Sequence, residues 1–234
     1  MRRILQPELL DALPPEDPQG IGSRADLRRL NLLMGHPVHL SRAFRSQQPA
    51  KALPLRPLRV VELGAGDGTL LLRLARRWSN LGVKAEVTLV DRQPLVSGET
   101  RRGFADLDWP LTCVVSDVFD WLESPAPVAD LLLANLFLHH FDRAQLIALL
   151  HLIAARTDRF ICCEPHRSPL ALTAAHVLGL IGCNAVTRHD AVISVRAGFD
   201  GQELSALWPG ATQWHLTEQR DGLFSHGFSA QRNA

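Results

Sequence analysis

The side chains of this sequence that could do chemistry recur at one kind of place, just after or inside an apolar run. Glu62 leads into three alternating glycines in Val60-Val61-Glu62-Leu63-Gly64-Ala65-Gly66-Asp67-Gly68-Thr69. Asp91 ends the second run, Asp117 the third, Asn135 the fourth with His139 and His140 behind it, and Glu164 the fifth with His166 behind it. Glycines take backbone angles closed to residues with a Cβ, so the turn at 64–68 can press its main chain against a ligand. The helix expected from Leu70 to Trp78 offers its N-terminus to the same place. A dinucleotide fingerprint spaces its glycines G-x-G-x-x-G around a pyrophosphate, whereas the spacing here is G-x-G-x-G with Asp67 inside it. A carboxylate there repels a pyrophosphate and suits a cationic or amine-bearing ligand. Asp91, 23 positions beyond Gly68, can accept two hydrogen bonds from a ribose diol. A neutral histidine can take a hydroxyl proton near pH 7, a contribution of ~10²- to 10⁴-fold. His139, His140, His166 and His189 are the base candidates. His189 has Asp190 beside it, although adjacent residues on extended chain point opposite ways, which favours solvated charges.

These residues need a scaffold, and the pattern from Leu58 onward supplies one. Strand and helix alternate, which predicts a mostly parallel sheet with crossover helices in an α/β domain over 58–234. Strands are expected at Arg59–Leu63, Glu86–Val90, Thr112–Ser116, Asp130–Ala134 and Arg159–Cys163, all apolar enough to be covered on both faces. Two more, Thr212–Glu218 and Leu223–Ala230, flank Asp221-Gly222, a hairpin signal. Ahead of the core, residues 1–57 form a helical extension. Positions 10–22 look loosely structured, Ser23 can cap a helix Arg24–Met34, a second helix runs over about Pro37–Ser46, and the proline-rich stretch Gln47–Pro57 reads as a linker. Asp142 is expected to cap a helix over Arg143–Ala155. The apolar run Pro169–Val186 reads as a buried or lid helix within an insertion over 168–200.

Glu62 through Gly68 match without a gap the first motif, hh-[E/D]-h-G-x-G-x-G, of the class I S-adenosylmethionine-dependent methyltransferases, and the chain resembles that family. The resemblance implies a Rossmann-like, doubly wound sheet of seven strands, mostly parallel, with a C-terminal antiparallel hairpin strand. It implies S-adenosylmethionine as cofactor, held by Glu62, Gly64, Ala65, Gly66, Asp67 and Gly68, with Asp91 and Arg92 at the ribose. Asp117 would accept from the adenine amino group, Val118 would offer its backbone N–H to the ring, and Asn135 would stand near the sulfonium and the amino acid tail. No N-P-P-[YF] segment follows the fourth strand, where Ala-Asn-Leu-Phe stands instead. That argues against methylation of adenine or glutamine amino groups. The expected reaction is methyl transfer to an oxygen, less readily a carbon, of a small apolar acceptor of aromatic, quinone or polyketide-like character. An alternative is a non-catalytic sensor or scaffold that binds S-adenosylmethionine without turnover. Nicotinamide-dependent oxidoreduction is disfavoured by the glycine spacing.

Composition narrows the partners. A net charge of +1, from 25 basic and 24 acidic side chains, gives no overall positive field for nucleic acid. Cys113, Cys162, Cys163 and Cys183 show no C-x-x-C pairing and read as free thiols in a reducing cytosol. No acidic metal cluster is visible, so no metal site is expected. The start Met1-Arg2-Arg3-Ile4-Leu5 leads into no apolar signal region. The run 169–186 falls short of a stable membrane span, though peripheral contact with a lipidic substrate remains compatible with it. These features point to the cytoplasm and leave the oligomeric state open.

Overall fold

The computed structural model describes residues 1–47, 56–125 and 127–233. Most of the linker expected at Gln47–Pro57 lies outside them. The chain begins with α1 (Leu9–Ala12), α2 (Pro18–Leu33) and α3 (His36–Ser46). It then alternates β1 (Leu58–Leu63), α4 (Thr69–Ser79), β2 (Ala85–Asp91), α5 (Gly98–Ala105), β3 (Leu111–Val115), α6 (Val118–Glu123), β4 (Leu131–Asn135), α7 (Arg143–Arg156) and β5 (Arg159–Pro165). Two further helices, α8 (Pro169–His176) and α9 (Ala185–Ala197), precede the hairpin of β6 (Trp214–Asp221) and β7 (Ser225–Arg232).

Seven strands make one sheet in the order β3-β2-β1-β4-β5-β7-β6. β1 to β5 pair in parallel, while β7 runs antiparallel to both β5 and β6. This is the Rossmann-like, doubly wound α/β architecture with a C-terminal antiparallel strand. The order reverses between β1 and β4, and open sheets of this kind bind ligands beyond the strand ends at such a point. The hairpin closes where Asp221 faces Ser225, and Gly222, at φ 73°, turns the chain. β4 and β5 are buried along nearly their whole length. β3 is half exposed because it is the edge strand.

The helices at the front of the chain are part of the core. Leu40 and Phe44 of α3 bury with Val60, Leu71 and Trp78, and the rings of Phe44 and Trp78 stack at 4.1 Å. The segment expected to be loose is largely ordered. Asp17 caps α2 by accepting from Gln19 N at 2.8 Å and Gly20 N at 3.1 Å, with Pro18 in the first turn. That earlier cap moves the helix start back from Arg24 and leaves Ser23 buried mid-helix, where its Oγ accepts from Thr187 Oγ1 at 2.9 Å. The apolar run 169–186 is not one helix. α8 ends at His176, a 3₁₀ turn follows over Leu178–Ile181, and Gly182 at φ 81° breaks the chain before Asn184 caps α9. Among the described residues, no helix is long and apolar enough to cross a membrane.

Candidate active site

The glycine turn is built as its composition requires. Gly64, Gly66 and Gly68 have φ of 65°, 55° and 71°, in the left-handed region. A Cβ on Gly64 would stand 2.2 Å from the Phe137 ring and one on Gly68 2.5 Å from Leu89 Cδ1, whereas a Cβ on Gly66 would meet nothing within 4 Å. The open flank at Gly66 adjoins a cavity lined by Ala65, Gly66, Asp91, Val96, Val114 and Val115. Val115, at the end of the edge strand, is 59 % exposed, an apolar floor for a flat ring.

Carboxylates surround this opening. Glu62 is buried, its Oε2 has no partner, and burial together with nearby Asp67 and Asp91 pushes its carboxyl well up. Asp91 accepts from Gly66 N at 2.8 Å and Gln93 N at 2.9 Å, which locks the second strand end to the turn. A carboxylate has about four acceptor positions, so these two bonds do not exhaust it. Asn135 ends β4 nearby. Its Nδ2 donates to Asn31 Oδ1 at 3.2 Å, while its own Oδ1 is buried facing the His36 ring without a well-formed hydrogen bond. Buried oxygens at the ends of β1 and β4, where the strand order reverses, suit a ligand carrying positive charge and N–H groups.

Other expected contacts are already taken. Asp67 pairs with Arg28 Nη1 at 2.6 Å and caps Thr69 through N at 3.0 Å and Oγ1 at 2.6 Å. The cation it faces is therefore a protein side chain from α2. Arg92 turns outward to Asp11 at 3.8 Å. Asp117 is exposed and caps α6 by accepting from Phe119 N at 2.8 Å, and Val118 is buried in the first turn.

After β4 the chain makes a turn that spacing alone did not reveal. Leu136 has φ 51°, unusual for a residue with a branched side chain. The turn aims successive N–H groups at Glu164, the acid at the end of β5. Glu164 Oε1 accepts from Phe137 N at 3.0 Å and Leu138 N at 2.9 Å, and Oε2 from His139 N at 3.3 Å and His139 Nδ1 at 2.8 Å. Burial alone raises this fully buried carboxyl, but the bonds from His139 and the backbone hold it below the usual carboxylate range.

His139 lies between two acids. Its Nε2 meets Glu8 Oε1 at 3.2 Å, from the N-terminal segment. Burial lowers an imidazole, yet the hydrogen bonds to Glu164 and Glu8 prevail and raise His139 to about 9. At neutral pH it is an imidazolium donating from both nitrogens, so it has no lone pair for a hydroxyl proton while Glu8 is in place. Glu8 is correspondingly held far down: burial raises it, and the bonds from His139 and His140 outweigh that. His140 keeps Nδ1 on Phe137 O at 3.0 Å and turns Nε2 toward Glu8 Oε2 at 3.3 Å and Asp11 Oδ2 at 3.9 Å.

The remaining two histidines stand elsewhere. His166 is buried against the His226 ring at 6.2 Å, on the hairpin side, and burial pushes it down. His189 sits on the outer face of α9, and, contrary to the extended-chain expectation, its Nδ1 meets Asp190 Oδ1 at 2.9 Å, because the two residues lie on a helix; the same carboxylate accepts from Leu9 N at 2.8 Å and Leu10 N at 2.9 Å. Sequence reasoning missed Glu8, the bridging role of Glu164, and the pair Arg28 and Asn31. Glu164 carried a signal, since it closes a strand in the row that supplies Glu62, Asp91 and Asn135. Glu8 carried none, because nothing local ties residue 8 to residue 139.

Comparison with known proteins agrees with this geometry. Residues 60–158 match the family described as a methyltransferase domain. A search of curated proteins finds no match. Among solved structures, the plantazolicin methyltransferase BamL in complex with a triazolic desmethylPZN analog and SAH is similar at a TM-score of 0.63 and 13% identity, covering 92% of each chain. The magnesium protoporphyrin IX methyltransferase of Synechocystis PCC 6803 with bound SAH gives 0.54 at 16% identity, over 86% of this chain and 83% of that one. The mitomycin 7-O-methyltransferase MmcR gives 0.60 at 16% identity, and although 96% of this chain is covered it spans only 60% of that one. At such identities the structures establish the shared fold, and the family match establishes the kind of domain built on it. Over residues 60–158 the chain thus matches a methyltransferase domain, carried on a Rossmann-like sheet, and S-adenosylmethionine is the cofactor such a domain uses.

Proposed function

We propose that this enzyme methylates an oxygen, less readily a carbon, of a small apolar acceptor of aromatic, quinone or polyketide-like character. The observation that carries the donor half is the open flank of Gly66 together with two buried oxygens, Glu62 Oε2 and Asn135 Oδ1, at the ends of the paired strands β1 and β4. S-adenosylmethionine supplies an electrophilic methyl group on a positively charged sulfur. Asp91 would accept from its ribose, Val115 would underlie the adenine, and Asn135 would face the tail. Arg28 and Asn31 extend that last contact to α2. Asp117 and Val118 remain the proposed partners of the adenine edge.

The acceptor half rests on the segment after β4. Phe137 and Phe141 pack edge to face at 5.1 Å beside His139 and His140, and aromatic walls of this sort favour flat apolar acceptors. Two structural neighbours are methyltransferases of a porphyrin and of mitomycin, which supports an acceptor of this shape. The chain's own contribution is alignment of donor and acceptor together with custody of one proton. If an acceptor hydroxyl displaced Glu8 from His139 Nε2, the Glu164–His139 pair would be oriented to receive that proton, and His140 stands next to it. His166 and His189 have no place in this arrangement.

Calorimetry with S-adenosylmethionine on the wild type and on Asp91→Ala tests the donor half. Binding should weaken at least tenfold with the circular dichroism spectrum unchanged, and equal affinities would remove Asp91 from the ribose. An assay for S-adenosylhomocysteine release over a panel of phenols and quinones tests the acceptor half. Tight donor binding with no turnover across the panel would favour the sensor reading.

A further inference from the structure

From the geometry around Glu8 we infer a divalent metal site of zinc type, made by Glu8, His139 and His140, at the acceptor end of the fold. A carboxylate oxygen of Glu8 and a ring nitrogen of each histidine lie within 4.8 Å of one another. The two carboxylate-to-imidazole distances are 3.2 Å and 3.3 Å. Two ligand atoms bound at about 2.1 Å in a tetrahedral arrangement stand about 3.4 Å apart, so each imidazole stands at a ligand-to-ligand spacing from one oxygen of Glu8, His139 from Oε1 and His140 from Oε2.

The surroundings of the two imidazoles agree. A metal-binding histidine usually gives its other ring N–H to a carboxylate or carbonyl, which fixes the tautomer and aims the free nitrogen at the metal. His139 Nδ1 is held by Glu164 Oε2 at 2.8 Å and His140 Nδ1 by Phe137 O at 3.0 Å. Both Nε2 atoms therefore point at the same carboxylate, that of His139 at 3.2 Å from Glu8 Oε1 and that of His140 at 3.3 Å from Glu8 Oε2. Among the described residues no fourth group joins the three, and three protein ligands with a vertex to spare is the pattern of a catalytic ion.

The site stands on these distances alone; its use rests on the proposed methyl transfer. An acceptor hydroxyl at the spare vertex would release its proton to water more readily. Its oxygen lone pair would then form the bond to the methyl carbon as the carbon–sulfur bond breaks, leaving a neutral thioether.

The test uses untagged full-length protein stripped with a chelator and dialysed against zinc chloride, with bound metal measured by atomic absorption. One equivalent is expected, with affinity at least tenfold weaker in Glu8→Gln and in His140→Ala. Cobalt substitution should give visible bands without thiolate charge transfer, which separates this site from the four cysteines. Failure to retain an equivalent, variants that bind zinc like the wild type, or thiolate bands would each overturn the site. Calorimetry with S-adenosylmethionine on the same metal-free protein keeps the two readings apart. Donor binding without zinc binding defeats only the metal site, and zinc binding without donor binding defeats only the methyl transfer.

Discussion

Gly64 and Gly66 share a left-handed backbone and do different work. At Gly64 a methyl group would press to 2.2 Å from Phe137, whose backbone N–H is one of the bonds on Glu164. Gly64→Ala should therefore disturb the turn that seats His139, costing on the order of 1–3 kcal/mol, visible as a lower thermal midpoint. At Gly66 the same methyl meets no protein atom. Gly66→Ala should cost about 1 kcal/mol of backbone strain and leave the fold intact, while the methyl occupies the flank where the donor must approach. Calorimetry should show at least tenfold loss of S-adenosylmethionine affinity in a folded protein. Unchanged affinity would mean that the donor does not lie against this turn.

α1 is a single turn of helix with no buried residue of its own, so its order comes from outside it. Asp190 of α9 accepts the N–H groups of Leu9 and Leu10, acting as a cap supplied by another helix. Arg3 adds bonds to Ala197 O at 2.7 Å and Phe141 O at 3.0 Å. Asp190→Ala should release this segment at a cost of about 1 kcal/mol. Limited proteolysis should then cut within residues 1–13 well before the core, and a wild-type cleavage pattern would show that Asp190 is not the anchor. The same element shows what could be read from residue order. β1 to β5 were legible because each is an apolar run closed by a polar residue, and the glycine turn because its φ values exclude side chains. The docking of α1, the early start of α2 and the break at Gly182 were not, because each is settled by a partner far along the chain or by one cap competing with another. For the same reason Asp67 looked available to a ligand until Arg28, 39 positions earlier, was seen to hold it.

Acidity couples the front of the molecule to its site. His139 titrates at about 9 in the fold against an ordinary 6.5. Its contribution is therefore full below 6.5 and is lost as pH rises through about 9, a change of at most about 3 kcal/mol. Glu8 is displaced downward from 4.5, so its contribution is present above that value and fades only on acidification. Thermal midpoints of the metal-free wild type should fall between pH 6.5 and 9, and Glu8→Gln should flatten that limb. An identical alkaline decline in both would separate Glu8 from His139. The N-terminal segment that carries Arg3, Glu8 and α1 also bears on how the molecule assembles. Arg3 finds its acceptors 136 to 194 residues further on, and Leu9 and Glu8 find Asp190 and His139 181 and 131 residues away. Made N-terminus first on the ribosome, the opening residues emerge long before any surface exists to receive them. This segment, made ahead of its partners, is then among the last to settle, and a nascent chain halted before α9 would carry it loose.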